Sequence, residues 1–286
     1  MVPAPRARRG IRHPWTALLT ASAAAVLAGA ASIAAMGEWV TDAPQRVLAL
    51  LGFRLDPLTG LIRPPHATTI RLLVAAADAD TLDRAIGDFL QQRKSPAQGR
   101  KIVAVDGKTL RGSHTAGRTA TALIAAMTHS GEVLAQRQID GKSNEIPAFA
   151  PLLDGIDLNG AVVTADALHT QRDHAAYRHE RGAHYLAVVK RNHPGLHERV
   201  PGLPRPDIRL DHIEHTRAHH RDEIRRLKTV TFAHIDYPHA RQALQVVRWR
   251  GDLGTGELTI RRIYLVTSLP PGAAGGSELA AWIRGH

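Results

Sequence analysis

Cysteine is absent from the sequence, and aromatic residues are scarce. None of the 286 residues is cysteine, and Phe, Trp and Tyr together make up 4% of the chain. A chain without cysteine forms no disulfides and no thiolate metal sites, which excludes a disulfide-rich secreted scaffold. Hydrophobic residues still make up 44% of the chain, so we expect a sizeable core built mainly from Leu, Val, Ile and Ala.

Acidic residues are outnumbered by basic ones. The chain has 37 Lys and Arg against 26 Asp and Glu, and its isoelectric point is near 10.7. This excess points weakly to a polyanionic partner, which would be nucleic acid or an acidic membrane surface. A solvated surface rich in arginine would give the same count.

Charged side chains are also missing from residues 13–37, after a basic start. Such a run has the length of a membrane span and the pattern of a secretory signal peptide. The run is rich in alanine, however, and its larger residues recur at helical spacing, which favours a packed helix. These larger residues are Trp15, Leu19, Val26 and Ile33. We therefore predict a helix over residues 14–36 that is not cleaved, with export as the alternative.

Helical patterns continue to about residue 93. Residues 35–51 are helical in pattern, and residues 64–93 contain two further helices. The expected N-caps are Thr68 or Thr69 for the first of these and Asp80 or Thr81 for the second. We predict a small all-α domain over residues 1–93, a polar linker over residues 94–100, and an α/β domain over residues 101–286.

Two short apolar strands each lead directly to an aspartate. The segments KIVAVD and AVVTAD end at Asp106 and Asp166, and a helix between them is expected to begin at Ser143 or Asn144. Strands that alternate with helices indicate an α/β sheet covered on both faces. Neighbouring strands lie ~5 Å apart, so the two carboxylates can converge on one ion, and oxygen ligands suit Mg²⁺ or Mn²⁺. Turn chemistry is the alternative, because Asp-Gly is a common turn dipeptide.

Two further motifs suggest phosphate or metal binding. The segment DGKT resembles the end of a P-loop, but Ile102 stands where the first glycine of that motif must be, which excludes it. Residues 212–223 contain four histidines, which would suit a zinc site. Because the chain has 17 histidines spread along its length, this local cluster is weak evidence for zinc.

Four blocks of sequence, in order along the chain, carry a resemblance to one family. They are VAVDGKTLRGS, GKSNEIPAFAPLLD, VTADALHTQ and GAHYLAVVKRNHPGL. These blocks closely resemble the DDE transposases of bacterial insertion sequences, in the branch that carries an H-repeat-associated N-terminal domain. The segments RRGIRHPWTALLTASAAAVLAGAASIAAMGEW and PPHATTIRLLVAA resemble parts of that N-terminal domain, so the resemblance covers nearly the whole chain.

The resemblance implies a fold and a chemistry. The implied fold is an RNase-H-like α/β core with a β-rich insertion before its last helix, preceded by the small all-α domain. The implied reaction cuts and joins DNA strands with two Mg²⁺ (or Mn²⁺) ions held by Asp, Asp and Glu. Asp106 and Asp166 match the first two acids, and Gly107 would let the backbone turn closely beside the metal.

The implied partner is DNA, at the transposon ends and at the target. The cations expected to contact it are Lys108, Arg111, Lys190, Arg221 and Arg225. A homodimer is compatible with the resemblance, whereas a membrane partner is not expected. The resemblance favours a location in the cytoplasm, associated with the nucleoid, over export.

The third acid is where this sequence departs from the family pattern. In the family, that glutamate lies in a pattern like R-x-H-W-x-I-E-N. Arg284 and His286 match the R and the H of this pattern, and the given sequence stops there. Glu223 is the alternative third acid. It lies in a segment like the family's H-G-R-x-E-x-R, with His220 in place of the glycine. We favour a structural ion pair for Glu223. We therefore expect a C-terminally truncated transposase that is inactive as it stands. The alternative is a catalytically dead DNA-binding remnant.

Overall fold

The computed structural model describes most of the chain. The described residues are Ala4 and residues 12–92, 99–114, 117, 119–139, 145–191, 193–200, 208–232 and 235–286. Most of the expected linker, and the expected helix start at Ser143 or Asn144, lie outside these ranges. The chain divides into two compact units, residues 1–82 and residues 83–286.

Within its described residues, the first unit has only helices as regular structure, which confirms the all-α N-terminal region. Its helices are α1 (Trp15–Leu27), α2 (Ile33–Asp42), α3 (Gln45–Leu50), α4 (Ala67–Ala76) and the start of α5 (Ala79–Gln92). The single helix expected over residues 14–36 is in fact two helices. Gly29 turns the chain with a φ of 97° after α1, and the Ser32 hydroxyl accepts a hydrogen bond from Ala35 N at 3.1 Å to begin α2.

The buried face of α1 includes Trp15 of the expected stripe, with Leu19 packed against the same core, but not Val26. Ala17, Ala21 and Ala25 are fully buried, whereas Val26 is 51% exposed. Small side chains are favoured because the helices of this unit approach closely; a Cβ atom on Gly37 of α2 would lie 2.6 Å from the Cβ atom of Ala67. Among the described residues, no helix combines the length and the apolar character needed to cross a bilayer.

Two expected helix caps are also shifted by a few residues. The His66 ring, rather than a threonine, accepts a hydrogen bond from Thr68 N at 3.2 Å before α4. The Asp78 carboxylate accepts one from Thr81 N at 2.8 Å before α5. Both shifts follow from the chain before each helix already being extended, which leaves the earlier polar residue in the capping position.

In the part of the chain that the structure describes, the second unit is built on one sheet of nine strands with helices between them. The strands are β1 (Ile102–Thr109), β2 (Ala122–Thr128), β3 (Val133–Ile139), β4 (Val162–Ala165), β5 (His184–Val189), β6 (His212–Ala218), β7 (Arg221–Thr231), β8 (Gln242–Asp252) and β9 (Leu258–Thr267). The helices are α6 (Phe149–Leu153), α7 (Arg172–Glu180), α8 (Pro194–Arg199) and α9 (Gly276–Arg284), with a 3₁₀ turn at Ala167–His169.

The strand order is β3-β2-β1-β4-β5-β9-β8-β7-β6. Strands β1, β2 and β3 form an antiparallel meander, and β4 and β5 run parallel to β1. This arrangement is the RNase-H-like core, and β6 to β9 form the β-rich insertion between that core and α9. The expected fold of the second unit is therefore confirmed.

Alternate residues of the strands pack on opposite faces of the sheet. Val103 and Val105 belong to a core with Phe149 of α6, whereas Ile102 belongs to a core with Leu279 of α9. Side chains of a strand alternate in direction, so this burial fixes which face every residue of β1 presents. Asp106, next after Val105, consequently lies on the α9 face.

The hairpin between β6 and β7 turns at two histidines. Ala218 pairs with Arg221, and the two residues between them, His219 and His220, have φ values of 49° and 57°. A two-residue loop with positive φ at both positions is the type I′ turn, in which glycine is favoured at the second position. The glycine in the family pattern at this position is thereby explained.

We predict that His220→Gly stabilises the protein. A left-handed residue with a side chain costs about 1–2 kcal/mol, and the added flexibility of the unfolded chain offsets about 0.5–1 kcal/mol of that gain. The net increase in the free energy of unfolding should be about 0.5–1 kcal/mol, measured by urea denaturation. The control His212→Gly, at the first residue of β6, has no left-handed conformation to relieve and should destabilise instead. A lower stability for His220→Gly would contradict this account of the turn.

Candidate functional site

The two aspartates singled out in the sequence are brought together by strand register. In the parallel pair of β1 and β4, Val105 lies opposite Ala165, so Asp106 and Asp166 follow the last paired residues on neighbouring strands. Such strands lie about 4.8 Å apart. The two carboxylates therefore stand side by side at one edge of the buried sheet.

β1 does not end at Val105, as its apolar pattern suggested. It continues to Thr109 because β2 remains paired with it, with Asp106 opposite Ala125 and Gly107 opposite Ile124. Gly107 thus makes no turn, which corrects the role expected for it. The buried residues of β1 end at Val105, where its pairing with β4 ends. Its pairing with β2 continues to Thr109.

Asp106 is solvent-exposed and has a cation beside it. The Lys108 ammonium lies 3.0 Å from Asp106 Oδ2, two residues further along the same face of β1. Both side chains are largely open to water, so the ion pair is weak and the carboxylate is able to exchange partners. Lys108 accordingly lies beside Asp106, and its contact with DNA stays a prediction.

Asp166 is partly fixed by its own backbone. Its Oδ1 accepts a hydrogen bond from Leu168 N at 2.9 Å, and the residue caps the 3₁₀ turn at Ala167–His169. The turn chemistry considered as an alternative is thus present at this aspartate. It orients the carboxylate and is compatible with metal binding, because a carboxylate has two oxygens and several lone pairs.

Glu145, a residue that the sequence did not single out, approaches the same place. A Cβ atom built on Gly107 would lie 2.1 Å from Glu145 Oε1 and 2.4 Å from Oε2, so the carboxylate occupies the space a side chain would need. Burial raises the pKa of Glu145, and the charges of Asp166 and then Asp106 raise it further. Its Oε2 lies 3.3 Å from His169 Nε2.

Buried histidines support this edge of the sheet. His169 is 1% exposed, and burial lowers its pKa. His174 stacks on Phe149 with ring centroids 4.2 Å apart, and its Nε2 lies 3.1 Å from Ile146 O. Burial, followed by the charge of Arg178, lowers the pKa of His174 to about 4. Both rings are therefore neutral near pH 7.

A groove rich in arginine begins at Asp166 and extends across the insertion strands. It encloses about 560 Å³. We call it the basic groove. Its cationic lining residues are Lys190, Arg225, Arg248, Arg261, Arg262 and Arg284, with His286 beside them. Lys190 and Arg225 were expected to contact DNA. Arg284 was matched to the family pattern without an expected DNA contact, and the sequence did not distinguish Arg248, Arg261 and Arg262 from the rest of the basic surface.

Glu223 lies in an arginine cluster and not beside the aspartates. It is 7% exposed; its carboxylate pairs with Arg225, with Arg248 Nε at 2.8 Å and with Arg250 Nε at 3.1 Å. Its strand β7 is four strands from β4 in the sheet order, roughly 19 Å at the usual strand spacing. The structure thus holds Glu223 in the ion pair that the sequence analysis favoured for it.

The remaining expected contacts lie elsewhere on the second unit. Arg111 is exposed just after β1, and Arg221 is exposed at the hairpin between β6 and β7; neither lines the basic groove. Within the described ranges, no three His, Asp or Glu side chains stand in a geometry that would hold a metal ion. Neither the histidines of residues 212–223 nor the three carboxylates near Gly107 form such a group among the described residues.

The pair Asp106 and Asp166 nevertheless suits a hard divalent cation. Both supply carboxylate oxygens at the end of a rigid parallel pair, and the Asp106 side chain is accessible from solvent. One or two carboxylates, completed by water and substrate oxygens, are sufficient protein ligands for Mg²⁺. The donor set therefore fits such an ion without any third protein ligand.

Comparison with known families identifies the class of protein. The family described as "Transposase DDE domain" matches residues 97–267, and the one described as "DDE_Tnp_1-associated" matches residues 1–90. The chain belongs to the DDE transposase family.

Individual relatives agree with this assignment. The chain is 31% identical over 202 residues to "Putative transposase YncI" of Escherichia coli O157:H7, covering 69% of this chain and 49% of the relative. It is 30% identical over 183 residues to "H repeat-associated putative transposase YhhI" of Escherichia coli (strain K12), covering 63% of this chain and 46% of the relative. The chain thus spans about half the length of these two relatives.

One solved structure also matches at low similarity. The cryo-EM structure of the piggyBac transposase synaptic complex with hairpin DNA gives a TM-score of 0.37 at 10% identity, covering 94% of this chain and 64% of that chain. This likeness is too low to support an argument about fold or function.

We predict that His174 makes stability depend on pH. Its pKa is about 4 in the fold and 6.5 in the reference state, so below pH 6.5 the unfolded chain gains a proton that the folded chain does not. Stability should fall between pH 6.5 and 4, by on the order of 2–3 kcal/mol from this group. Denaturant titrations of the wild type and of His174→Gln, which keeps a donor for Ile146 O, measure the difference. Identical pH profiles would contradict the prediction.

Proposed function

We propose that this chain is a DNA transposase of an insertion sequence, of a family whose reaction is phosphoryl transfer assisted by Mg²⁺ or Mn²⁺, and that as it stands it binds DNA and the ion without cleaving strands. The observation that carries the proposal is the register of Val105 with Ala165. It sets two carboxylates side by side, next to a groove lined with arginine, in a chain of the DDE family.

Asp106 and Asp166 would hold the divalent ion in this proposal. Two adjacent carboxylates repel each other, and a bound cation removes that cost. When bound, such ions stabilise the attacking and leaving oxygens of a phosphoryl group. Asp106 Oδ2 would exchange its contact with Lys108 for the ion, and Lys108 would then face a phosphate oxygen.

Metal binding is the first test of this proposal. Asp106→Asn and Asp166→Asn should each weaken Mn²⁺ binding about 10-fold or more, because each removes an anionic ligand. The double variant should lose little beyond the larger single effect, since both residues serve one ion. Isothermal calorimetry with Mn²⁺ measures these affinities.

A matched control separates site binding from general attraction of cations. Asp88→Asn removes the same charge from an exposed position on α5 and should leave the Mn²⁺ affinity unchanged. Equal Mn²⁺ affinity for the wild type and both site variants would sink the proposed metal site.

The basic groove would bind DNA in this proposal. Ion pairs with Glu223 and Glu214 already engage Arg225, Arg248 and Arg284. Arg261 and Arg262 are exposed and form no ion pair with any described acidic residue. These two guanidinium groups are therefore the ones best able to take a phosphate without breaking an existing contact.

We expect DNA affinity to fall steeply with salt, and Arg261→Gln with Arg262→Gln to reduce that dependence. Removing one phosphate-binding cation should lower the slope of log affinity against log salt by about 0.9, so the double variant should have a slope smaller by about 1.8. Filter binding with duplex DNA measures the slope. The control is Arg241→Gln, a residue that is exposed just before β8 and does not line the groove. A slope unchanged in the double variant would exclude phosphate binding by these two arginines.

The expectation that the 286-residue chain does not cleave DNA stays a prediction. A strand-cleavage assay with Mn²⁺ on the element's own end sequences tests it. Cleavage that Asp106→Asn abolishes would contradict the expected inactivity and support the proposed chemistry. Glu223→Gln distinguishes a catalytic from a structural role: loss of cleavage with normal thermal stability would make Glu223 catalytic.

A further inference from the structure

We propose that Glu145 is a third acidic group of the metal centre, held beside Asp106 and Asp166 by His169 and by the missing side chain at Gly107. This inference rests on the proposed function, because it assigns a role in binding the ion of that same site. Glu145 would strengthen ion binding through its charge and without ligating the ion.

Steric evidence fixes where the carboxylate lies. Its two oxygens and Cδ would all lie within 2.4 Å of a Cβ atom at Gly107. Gly107 follows Asp106 directly, so Glu145 contacts the backbone of the strand that carries the first metal ligand. Gly107 does not have a positive φ. The reason for glycine here is space and not backbone conformation.

A hydrogen bond ties the same carboxylate to the other aspartate's segment. His169 lies three residues after Asp166, in the 3₁₀ turn that Asp166 caps. Its Nε2 lies 3.3 Å from Glu145 Oε2, and the ring is 1% exposed. Since the buried ring has little freedom to move, it holds Glu145 in place.

The face of the strand explains why Glu145 acts by charge. Asp106 lies on the α9 face of β1, whereas Gly107 presents the opposite face, where Glu145 precedes α6. The three carboxylates accordingly do not form a ligand triad in the described part of the chain. A charge behind the strand still acts on an ion in front of it, because partly buried charges are screened less than exposed ones. Outer groups that hydrogen-bond the metal ligands typically change metal affinity about 10- to 100-fold, and we expect the nearby Glu145 charge to act within that range.

Glu145→Gln is the direct test, since the amide keeps an acceptor for His169 but removes the charge. We expect it to weaken Mn²⁺ binding about 10-fold by calorimetry, with a melting temperature near that of the wild type. Glu257→Gln, the same change at an exposed position before β9, should leave the affinity unaltered. Wild-type affinity in Glu145→Gln, with Asp106→Asn still weakened, would overturn the inference and leave the proposed metal site intact.

Gly107→Ala provides an independent test that leaves Glu145 chemically unchanged. The added methyl group should displace the carboxylate and lower the Mn²⁺ affinity by a similar factor. In a Glu145→Ala background the same substitution should have no further effect, because no carboxylate remains to be displaced. Additive losses of affinity would overturn the inference. Should Asp106→Asn also bind Mn²⁺ like the wild type, the proposed function itself would fail.

Discussion

The register between β1 and β4 is the constraint on which the site depends. Val105 and Ala165 are paired and buried, and the residue after each is an aspartate. A slip of one residue would turn every side chain of β1 to the other face, so that Asp106 would point away from Asp166. The slip is opposed by burial of Val103 against α6 and of Ile102 against α9. Hydrophobic packing on both faces therefore holds two like charges within reach of one ion.

Positive charge around the aspartates is organised by a small number of acidic residues. Glu223 binds three arginines from β7 and β8, and Glu214 of β6 binds Arg225 and Arg284. Repulsion among the closely spaced guanidinium groups is thereby reduced, and the contact with Arg284 links α9 to the insertion. Removing the buried Glu223 charge would leave its arginines uncompensated, which typically costs several kcal/mol. The arginines of the insertion are thus held in place beside the aspartates by these ion pairs. They also contribute to the positive net charge of the chain.

Features carried by short local patterns were predictable from the sequence, and features that join distant segments were not. Apolar strands before Asp106 and Asp166 are local signals, and the structure brings both residues together. The basic groove collects side chains from residues 190 to 284, which no single window of sequence contains. Glu145 lies before α6 with no periodic pattern around it; its only sequence signal is its place in the block GKSNEIPAFAPLLD. The stripe expected over residues 14–36 is wrong at Val26, because alanines share the buried face of α1 with Trp15 and Leu18.

The sequence analysis singled out Gly107 correctly but assigned it the wrong physical role. The dipeptide Asp-Gly suggested a turn, because local statistics weigh only the conformations that a short segment prefers. Here β2 pairs with β1 beyond Asp106 and keeps the chain extended, so the conformational freedom of glycine is not used. Instead, the missing side chain of Gly107 leaves open space above its Cα atom. The carboxylate of Glu145, 38 residues further along the chain, packs into that space. Glycine is therefore favoured at position 107 because the segment that carries Glu145 needs the space. Only the tertiary structure identifies that segment.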